Sequence, residues 1–416
     1  MADPKLKLGN DIWATKQKSL LAYNDEGGNF KSLPFQVDRI SGGSYVGRNG
    51  LIQYAASNEP RIDFLNNTKG GLLLEPQRTN SITHSEDFSD GSWNKNNATV
   101  TANNTTAPDG SSSADLITST GTAPYARVTF THSTLTDYCV SIFGKKGDED
   151  YLYIRALALS SQPIASFNLS TGTLGTINSG LTAEIESHNN GWYRCIIKYT
   201  TTSSISNNLI DFGFASSDNS RFSSSGKFAY FWGAQVDVAN TKSSYIPTSG
   251  GAVTRVQDYI AKGGNEYIFN DSEGVLYAEI QALANDQTYR FISISDNSAS
   301  SNRVVISYNT TSNQIRCDLI VGGSTQSSFA TNSYDITQKN KVAIKYKLND
   351  VKMFANGLQV GSTDTSANVF PSGTLNQINF DNGNLGSTFY FEGFLNDLQY
   401  FDEALSDAEL ATLTTL

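Results

Sequence analysis

Residues 228–259 read FAYFWGAQVDVANTKSSYIPTSGGAVTRVQDY, and this stretch decides how the chain divides. Its first part, residues 228–232, is an uncharged aromatic run that predicts a β-strand. Its later part, residues 244–251, contains a proline and paired glycines, which exclude a helix or a regular strand because proline lacks a backbone donor and glycine loosens the chain. We therefore expect the last strand of one β-module here, followed by the connection into a second module.

The composition of the chain favours an all-β fold. Of its 416 residues, 38% are hydrophobic and only 17% are charged, and Tyr (20) and Phe (22) far outnumber Met (2). Aromatic and β-branched side chains pack well on strands, whereas Asn, Gly and Ser supply turns. The length leaves room for about two or three domains, each with a core of its own.

The net charge of the chain is −10, from 40 acidic and 30 basic residues. This balance argues against a nucleic-acid partner, because such binding depends on Lys and Arg that neutralise phosphates. No apolar run approaches the ~20 residues that span a bilayer, and the first residues lack the apolar core of a signal peptide. We therefore expect no nucleic acid, no membrane insertion and no export signal. Three cysteines without CxxC spacing predict reduced, buried thiols.

Strand signals continue on both sides of the opening stretch. Between residues 81 and 258, about eight apolar segments separated by turns predict an antiparallel jelly roll. Further on, Asn356-Gly357 between two alternating runs is the pattern of a tight β-hairpin. The tail predicts one helix, with Ser406 as its N-cap and Glu409 as its capping-box partner.

These signals divide the chain into three parts. Residues 1–80 hold isolated anchors and strands too short to form a sheet alone, so we expect an extended N-terminal arm that joins the next module or a neighbouring subunit. Residues 81–258 are the jelly roll, and residues 259–416 are a second β-sandwich. The predicted fold is all-β, with two antiparallel β-sandwich domains preceded by the arm.

The acidic residues do not match a catalytic pattern. A hydrolase on a β-sandwich fold needs two carboxylates about 5–10 Å apart across a groove. Glu184 and Glu186 share one face of a predicted strand, but paired acids there are more often a solvated surface. The Glu-x-Asp-x-x-Glu pattern of sandwich-fold glucanases, the Gly-x-Ser-x-Gly elbow and the phosphate loop are absent from the sequence. We therefore expect no enzymatic activity and no catalytic residue.

Sugar binding is compatible with the sequence. It needs exposed aromatic faces beside amide and hydroxyl groups. Four aromatic residues flank loops rich in Asn and Ser, and these are the candidates: Tyr151, Tyr153, Trp192 and Tyr193. The alternative for each ring is a place in the core.

Calcium is the metal that suits the acidic residues, because it takes oxygen ligands without requiring histidine or thiolate. The candidate ligands are Glu86, Asp87, Asp90, Asp237 and Asp397. The first three lie in HSEDFSDGSW and are expected to meet Asp237 from the last strand of the jelly roll. The alternative is that all five are ordinary surface and turn acids.

Several motifs resemble a module set that is common in structural proteins of tailed bacteriophages. They are LLLEPQRTN (72–80), SEDFSDGSW (85–93), APDGSSSAD (107–115), NGWYRC (190–195) and WGAQVDV (232–238) followed by SYIPTSGGAVTR. The resemblance implies a tail-fibre, baseplate or other virion-surface protein, with a middle module like carbohydrate-binding modules of the galactose-binding jelly-roll type. The stretch from GVLYAEI (274–280) to FEGFLNDLQYFDEALSDAEL (391–410) is similar to concanavalin A-like or laminin-G-like domains.

The resemblance carries further expectations. In related jelly-roll modules, structural calcium is held by an early acid and by one on the last strand, which correspond to Glu86 and Asp237. Asp397 matches the acid after the Phe-x-Gly segment that binds calcium in some laminin-G-like domains. The implied protein is made in the host cytoplasm, sits on the virion surface, contacts other virion proteins through its arm, forms trimers and binds host-surface glycans. The alternatives are a purely structural head-fibre, decoration or adaptor protein, and a polysaccharide-degrading enzyme.

Overall fold

The structure is a computed structural model that describes residues 2–16, 18–26, 29–130, 133–202, 208–298, 301–383 and 388–416. These residues form 33 β-strands, one turn of 3₁₀-helix and one α-helix. The predicted all-β class is confirmed. Within the described ranges, no helix is long and apolar enough to cross a membrane.

The strands have the following bounds in chain order. The first sixteen are β1 (Leu6–Gly9), β2 (Ala14–Lys16), β3 (Ser19–Glu26), β4 (Asn29–Asp38), β5 (Gly43–Val46), β6 (Ile52–Ala55), β7 (Ile62–Asp63), β8 (Gly71–Leu74), β9 (Arg78–Asn80), β10 (Asn94–Asn96), β11 (Ala98–Thr105), β12 (Ala114–Ser119), β13 (Tyr125–Phe130), β14 (Asp137–Lys145), β15 (Tyr151–Ala156) and β16 (Ile164–Asn168). The others are β17 (Thr173–Ile177), β18 (Thr182–Ser187), β19 (Trp192–Thr200), β20 (Asn208–Ala215), β21 (Phe228–Val238), β22 (Val253–Arg255), β23 (Tyr259–Ala261), β24 (Glu273–Ala282), β25 (Arg290–Ser295), β26 (Arg303–Tyr308), β27 (Ile315–Val321), β28 (Ser324–Thr331), β29 (Asn340–Lys347), β30 (Val351–Ala355), β31 (Leu358–Asp364), β32 (Gln377–Asn379) and β33 (Gly393–Phe401). The 3₁₀-turn is Asn189–Gly191 and the helix, α1, is Asp407–Thr414.

The chain forms two units that do not follow chain order. Unit 1 consists of Met1–Gly42, Ala55–Pro76 and Val256–Leu416, and unit 2 consists of Gly43–Tyr54 and Gln77–Arg255. Each unit has a hydrophobic core of its own. Chain position alone therefore does not assign a segment to a unit.

Unit 2 is a sandwich of two six-stranded antiparallel sheets, in the orders β10-β13-β20-β15-β16-β17 and β11-β12-β21-β14-β19-β18. The aromatic run of the opening stretch begins β21, which lies between β12 and β14. The irregular segment after it also packs in this unit. Tyr245 and Ile246 are buried, and the backbone N–H of Ile246 donates to Oε1 of Gln235 at 2.7 Å. The segment around Pro247 is thus part of the jelly roll, and it also leads to the connection into the next segment of the chain.

Unit 1 is a sandwich with a large sheet, whose main order is β23-β4-β3-β1-β33-β24-β29-β30-β31, and a five-stranded sheet, β28-β27-β26-β25-β32. The sequence predicts an arm over residues 1–80 that joins the next module or a neighbouring subunit, whereas most of this segment belongs to the unit formed with residues 256–416. Both β1 and β8 pair with β33, and Leu6, Leu8 and Phe35 are buried in the core of unit 1. The reason is that these strands are too short to form a sheet alone and are completed by a strand near the C-terminus.

Buried ion pairs join the early and late segments of unit 1. Arg61 pairs with Glu75, with Nη1 2.6 Å from Oε2, and also pairs with Asp258. Arg39 Nη1 lies 2.8 Å from Oδ1 of Asp258. All four side chains are at most 2% exposed. The carboxylate of Asp258 therefore serves two guanidinium groups that have no access to water.

Two local predictions are confirmed in unit 1. Asn356 and Gly357 connect β30 to β31 with positive φ angles of 47° and 87°, which is the backbone that a two-residue hairpin requires. Helix α1 is capped by Ser406, whose Oγ accepts from the N–H of Glu409, and the Glu409 carboxylate accepts from the N–H of Ser406. Leu410 of this helix is fully buried against the outer face of the large sheet.

Candidate functional site

The most exposed large hydrophobic side chain among the described residues is Tyr267, at 88%. It lies in unit 1, in the loop of residues 262–272 between β23 and β24. Its backbone N–H donates to Oδ1 of Asn265 at 3.0 Å, so the ring stands at the tip of a tight turn. Single exposed aromatic side chains are common on protein surfaces, so the candidate site rests on this ring together with the polar side chains around it.

The loop that carries Tyr267 is held firmly in place. The two residues that follow the ring, Ile268 and Phe269, are buried in the core of unit 1. Gly264, with a φ of +80°, passes so close to the ring of Phe269 that a Cβ would lie 2.6 Å from it. At the start of the loop, the N–H of Lys262 donates to Oδ1 of Asn379 at 2.9 Å. The exposed ring is therefore presented by a rigid support.

A cleft of about 510 Å³ lies on the N-terminal side of Tyr267. Its wall is completed by residues 296–297, after β25, and residues 376–377, at the start of β32. Four polar side chains around it make no hydrogen bond or ion pair with any described residue: Lys262, Glu266, Asn297 and Gln377. Their donors and acceptors are available to a ligand.

A second cleft, of about 620 Å³, lies on the C-terminal side of Tyr267. Its polar lining includes Asn270, Ser272 and Asp402. Asp271 also lines it, and the Asp271 carboxylate accepts three backbone N–H groups of residues 373–375 at 2.6–3.1 Å, which fixes the far wall. Both clefts are shallow and stay largely open to solvent.

This geometry suits recognition of a sugar. The C–H face of a pyranose ring packs on an exposed aromatic face, and its hydroxyls bond with amides, hydroxyls and carboxylates beside the ring. Because the loop is already ordered, little conformational entropy is lost on binding.

The structure does not bring together the four aromatic residues proposed from sequence. Tyr151 and Tyr153 lie on β15 in one sheet of unit 2, whereas Trp192 and Tyr193 lie on β19 in the other. Tyr153 and Trp192 are fully buried, and each donates to a backbone carbonyl, that of Pro124 at 3.0 Å and that of Thr106 at 3.0 Å. A buried ring has no free face, so a shared sugar platform on these four residues is ruled out.

Tyr151 and Tyr193 are only half-buried, but each lies apart from the other. The ring of Tyr193 covers Gly172, where a Cβ would lie 2.4 Å from it. Sequence reasoning missed Tyr267 because it favoured aromatics next to Asn- and Ser-rich loops on predicted strands. The usable signal was the run Asn265-Glu266-Tyr267, an aromatic inside the polar turn itself.

The acids proposed for calcium in unit 2 fall into three separate environments. Oε1 of Glu86 accepts from the hydroxyl of Tyr245 at 2.9 Å. Oδ2 of Asp237 accepts from Ser243 Oγ at 2.7 Å and from Gln235 Nε2 at 2.8 Å. Burial raises the pKa of both carboxyls. Each acid is thus served by protein donors rather than by the other acid.

Asp87 and Asp90 lie with His84 instead. Within the described ranges, this is the one group of three or more His, Cys, Asp or Glu side chains close enough to share an ion. Oδ1 of Asp87 already accepts from the N–H and Oγ of Ser89, and Oδ1 of Asp90 accepts from the N–H of Ser92. Calcium takes six to eight oxygens, of which the carboxylates of Asp87 and Asp90 would supply a part. The calcium prediction at these residues stays a prediction.

Asp397 lies on β33 of unit 1, opposite Glu279 on β24. Its side chain is buried, Oδ2 accepts from Gln399 Nε2 at 2.8 Å, and Oδ1 has no hydrogen-bond partner among the described residues. Burial raises the pKa of this carboxyl to about 6.

Glu184 and Glu186, the paired acids on β18, are both bound to lysine. Lys242 Nζ lies 2.7 Å from Oε2 of Glu184 and 2.9 Å from Oε1 of Glu186. Although burial alone would raise it, the pKa of Glu184 is lowered to about 2 by Lys242 and Lys198. Both carboxylates are therefore partners of an ion-pair network.

The part of the chain that carries Tyr267 matches a known family. Residues 262–411 match the family model described as the concanavalin A-like lectin/glucanases superfamily. This segment is similar to a superfamily whose description includes both lectins and glucanases. The lectin-like resemblance of the C-terminal sandwich is thereby supported, and the Tyr267 loop falls inside the matched region. No curated protein matches the chain in sequence.

Solved structures show only distant likeness. The carbohydrate-binding module of the Ruminococcus gnavus intramolecular trans-sialidase, bound to α2,3-sialyllactose, has 15% identity over 37% of this chain and 93% of its own, with a TM-score of 0.32. Domain 4 of an arabinanase from Geobacillus stearothermophilus, in complex with arabinotriose, has 12% identity over 41% and 81%, with a TM-score of 0.30. Mouse laminin α1 domains LG4-5 have 9% identity over 67% and 88%, with a TM-score of 0.25. Likenesses at this level carry no argument about function.

Proposed function

We propose that this protein binds glycans through the site around Tyr267 and serves as a tail-fibre or baseplate component of a tailed bacteriophage, attaching the virion to host-surface glycans. The observation that carries the binding proposal is the 88% exposed ring on a fixed loop between two polar clefts. The match of residues 262–411 to a lectin and glucanase superfamily supports it.

The virion role rests on the sequence motifs, from LLLEPQRTN at residues 72–80 to SYIPTSGGAVTR at residues 244–255, which resemble tailed-phage structural proteins. With that role we propose a location on the virion surface, trimeric assembly and contacts with other virion proteins through residues 1–80. The pairing of β1 and β8 with β33 limits the last point, because only faces and edges not used inside unit 1 are available for such contacts.

We propose binding without catalysis. A general acid needs a pKa near the working pH, whereas the carboxylates of Glu184 and Glu186 are ion-paired to Lys242 and have lowered pKa values. Asp397 has a raised pKa, but at 4% exposure it does not face a polysaccharide. Incubation with host polysaccharide is expected to release no new reducing ends and no unsaturated uronates.

The test is a glycan array probed with purified protein and with Tyr267→Ala. Loss of ~80 Å² of buried ring face costs about 2 kcal/mol at ~25 cal/mol per Å², which is roughly thirtyfold in affinity. Tyr267→Phe keeps the face and is expected to bind within about threefold of the natural protein. Phe222→Ala, which removes a 52% exposed ring from unit 2, is the matched control and is expected to bind normally.

Binding that survives Tyr267→Ala unchanged would refute the site. Absence of binding to host cells and to every arrayed glycan would instead favour the purely structural head-fibre, decoration or adaptor role. Location of the protein on the assembled particle, by labelled antibody, tests the virion role separately from sugar binding.

A further inference from the structure

The two clefts beside Tyr267 are the two flanks of one raised tip. Their linings share only Glu266 and Tyr267. The first cleft is completed by residues that precede the tip and by the turns at residues 296–297 and 376–377. The second is completed by residues 268–272 that follow the tip, together with residues 372–373. A ligand seated on the ring therefore has a cleft on either side.

The spacing of the two clefts is fixed by the core. Ile268 and Phe269 anchor the C-terminal side of the tip, and the N–H of Gly263 donates to the carbonyl of Ile378 at 3.0 Å on the other side. The far walls are also tied down. Asp271 holds the turn at residues 373–375, and the N–H of Asn376 donates to the carbonyl of Ser295 at 3.1 Å. Neither cleft needs to form on binding, so both are present for the same ligand.

We infer that one glycan chain crosses Tyr267 and occupies both clefts, so that the site binds the interior of a chain rather than a single terminal sugar. This inference rests on the proposed function. The sugar unit on the ring packs by its C–H face, and its two neighbours enter the clefts. The unit in the first cleft meets the free side chains of Lys262, Asn297 and Gln377. The unit in the second cleft meets Ser272 and Ser372.

A chain of sugars is favoured over one large compact ligand by the form of the surface. The ring of Tyr267 lines both clefts and is 88% exposed. A compact ligand would fill one cleft and leave the other wet. A linear ligand gains contacts in both clefts with a single loss of translational freedom, which raises its affinity with length.

The experiment measures affinity against chain length and blocks each cleft in turn. The probes are cello-, xylo-, manno- and chito-oligosaccharides of one to eight units, with size-fractionated fragments of every polysaccharide that bound in a Tyr267-dependent way in the array. Affinity is expected to rise by about tenfold or more between one unit and about four units and then to level off.

Gln377→Trp fills the first cleft and Ser372→Trp fills the second. Gln377 is half-buried at the edge of its cleft and Ser372 is exposed, so both bulky side chains can be added at the surface. Each variant is expected to weaken a six-unit fragment by about tenfold while leaving a one-unit sugar within about threefold. Thermal unfolding of both variants, matched to the natural protein, shows that the fold is kept.

The outcomes separate the two proposals. Affinity that levels off at a single sugar, or loss of binding from only one blocking variant, refutes chain spanning and leaves the glycan site at Tyr267 standing. If Tyr267→Ala binds as well as the natural protein, or if no oligosaccharide binds to the natural protein, the proposed function and the inference that depends on it are both refuted.

Discussion

Replacing Asp397 by asparagine is expected to stabilise unit 1 at alkaline pH. Asp397 is 4% exposed, its Oδ1 has no hydrogen-bond partner among the described residues, and Glu279 lies directly across from it. Burial raises the pKa of Asp397 to about 6 from an ordinary value of 3.8. Glu279 raises it further, whereas Gln399, Lys7 and Lys341 act in the opposite direction.

The direction in which stability changes with pH follows from where the proton is bound. Between pH 4 and pH 6 the folded state holds a proton on Asp397 that the unfolded state has released, so raising the pH favours unfolding. The stability from this group is complete below pH 4 and is lost as the pH rises to 6. A difference of about two pH units in pKa corresponds to ~3 kcal/mol.

Asp397→Asn removes this loss, because the amide stays neutral at every pH. Its carbonyl can still accept from Gln399, and its amide group replaces an oxygen that has no donor at present. An unsatisfied N–H there costs ~1 kcal/mol, so the expected net gain at pH 8 is ~1–2 kcal/mol. For a unit of this size that is about 2–8 °C in the thermal midpoint.

The assay is calorimetry in EDTA at pH 4 and pH 8. We expect the variant to unfold at a higher temperature than the natural protein at pH 8, and to show no such gain at pH 4. Asp148→Asn, which removes an exposed carboxylate of unit 2, is the control and is expected to change neither midpoint. A variant that is less stable than the natural protein at pH 8 in EDTA would refute the reasoning.

Three further predictions concern stability. Asp258→Asn removes the buried carboxylate that the guanidinium groups of Arg39 and Arg61 share, and chemical denaturation is expected to show a free energy of unfolding lower by ~3–5 kcal/mol. A decrease below 1 kcal/mol would contradict the buried network. Burial lowers the pKa of His188 from 6.5 to about 4, so the stability that this group contributes above pH 6.5 is lost as the pH falls towards 4. His188→Phe is expected to reduce the dependence of the free energy of unfolding on pH in this range, measured by chemical denaturation. An unchanged pH dependence would assign it to other groups. Ser406→Ala removes the N-cap of α1 and is expected to lower the free energy of unfolding by ~1 kcal/mol, whereas Ser406→Asp, which also caps, is expected to restore it.

The strands and local turns were predictable from sequence because their signals are local. The Asn356-Gly357 pair forms the turn between β30 and β31, and the Ser406 cap begins α1. Each of these depends on the few residues around it. The place of the first 76 residues was not predictable in the same way. β1 pairs with β33, which lies near the other end of the sequence. The short segment LKLG contains no signal that predicts this pairing.

The candidate site was less predictable, because exposure is a property of the folded chain. Trp192 and Tyr153 look like Tyr267 in sequence, since all three are aromatic residues near polar loops. Trp192 and Tyr153 lie on strands, and their polar groups reach carbonyls of neighbouring loops. Tyr267 is exposed because the two residues after it are drawn into the core, which turns its own side chain outward.

Two acids are linked to calcium by resemblance, Asp237 by the jelly-roll modules and Asp397 by the laminin-G-like domains, and the two have similar surroundings. Gln235 donates to Oδ2 of Asp237 and Gln399 donates to Oδ2 of Asp397, both at 2.8 Å and both from two positions away on the same strand. In each acid Oδ1 has no hydrogen-bond partner among the described residues, and burial raises the pKa. A bare buried oxygen with a raised pKa is satisfied by either a proton or a cation.

A proton needs only the oxygen, whereas calcium needs six to eight oxygen ligands. Neither acid belongs to a group of three or more His, Cys, Asp or Glu side chains within the described ranges. We expect protonation at Asp397, and calcium binding there stays a prediction. Asp397→Asn also distinguishes protonation from calcium binding. If Asp397 instead holds calcium, added calcium raises the thermal midpoint of the natural protein as its concentration exceeds Kd. That rise would disappear in Asp397→Asn, and the gain in stability expected in EDTA would become a loss in calcium.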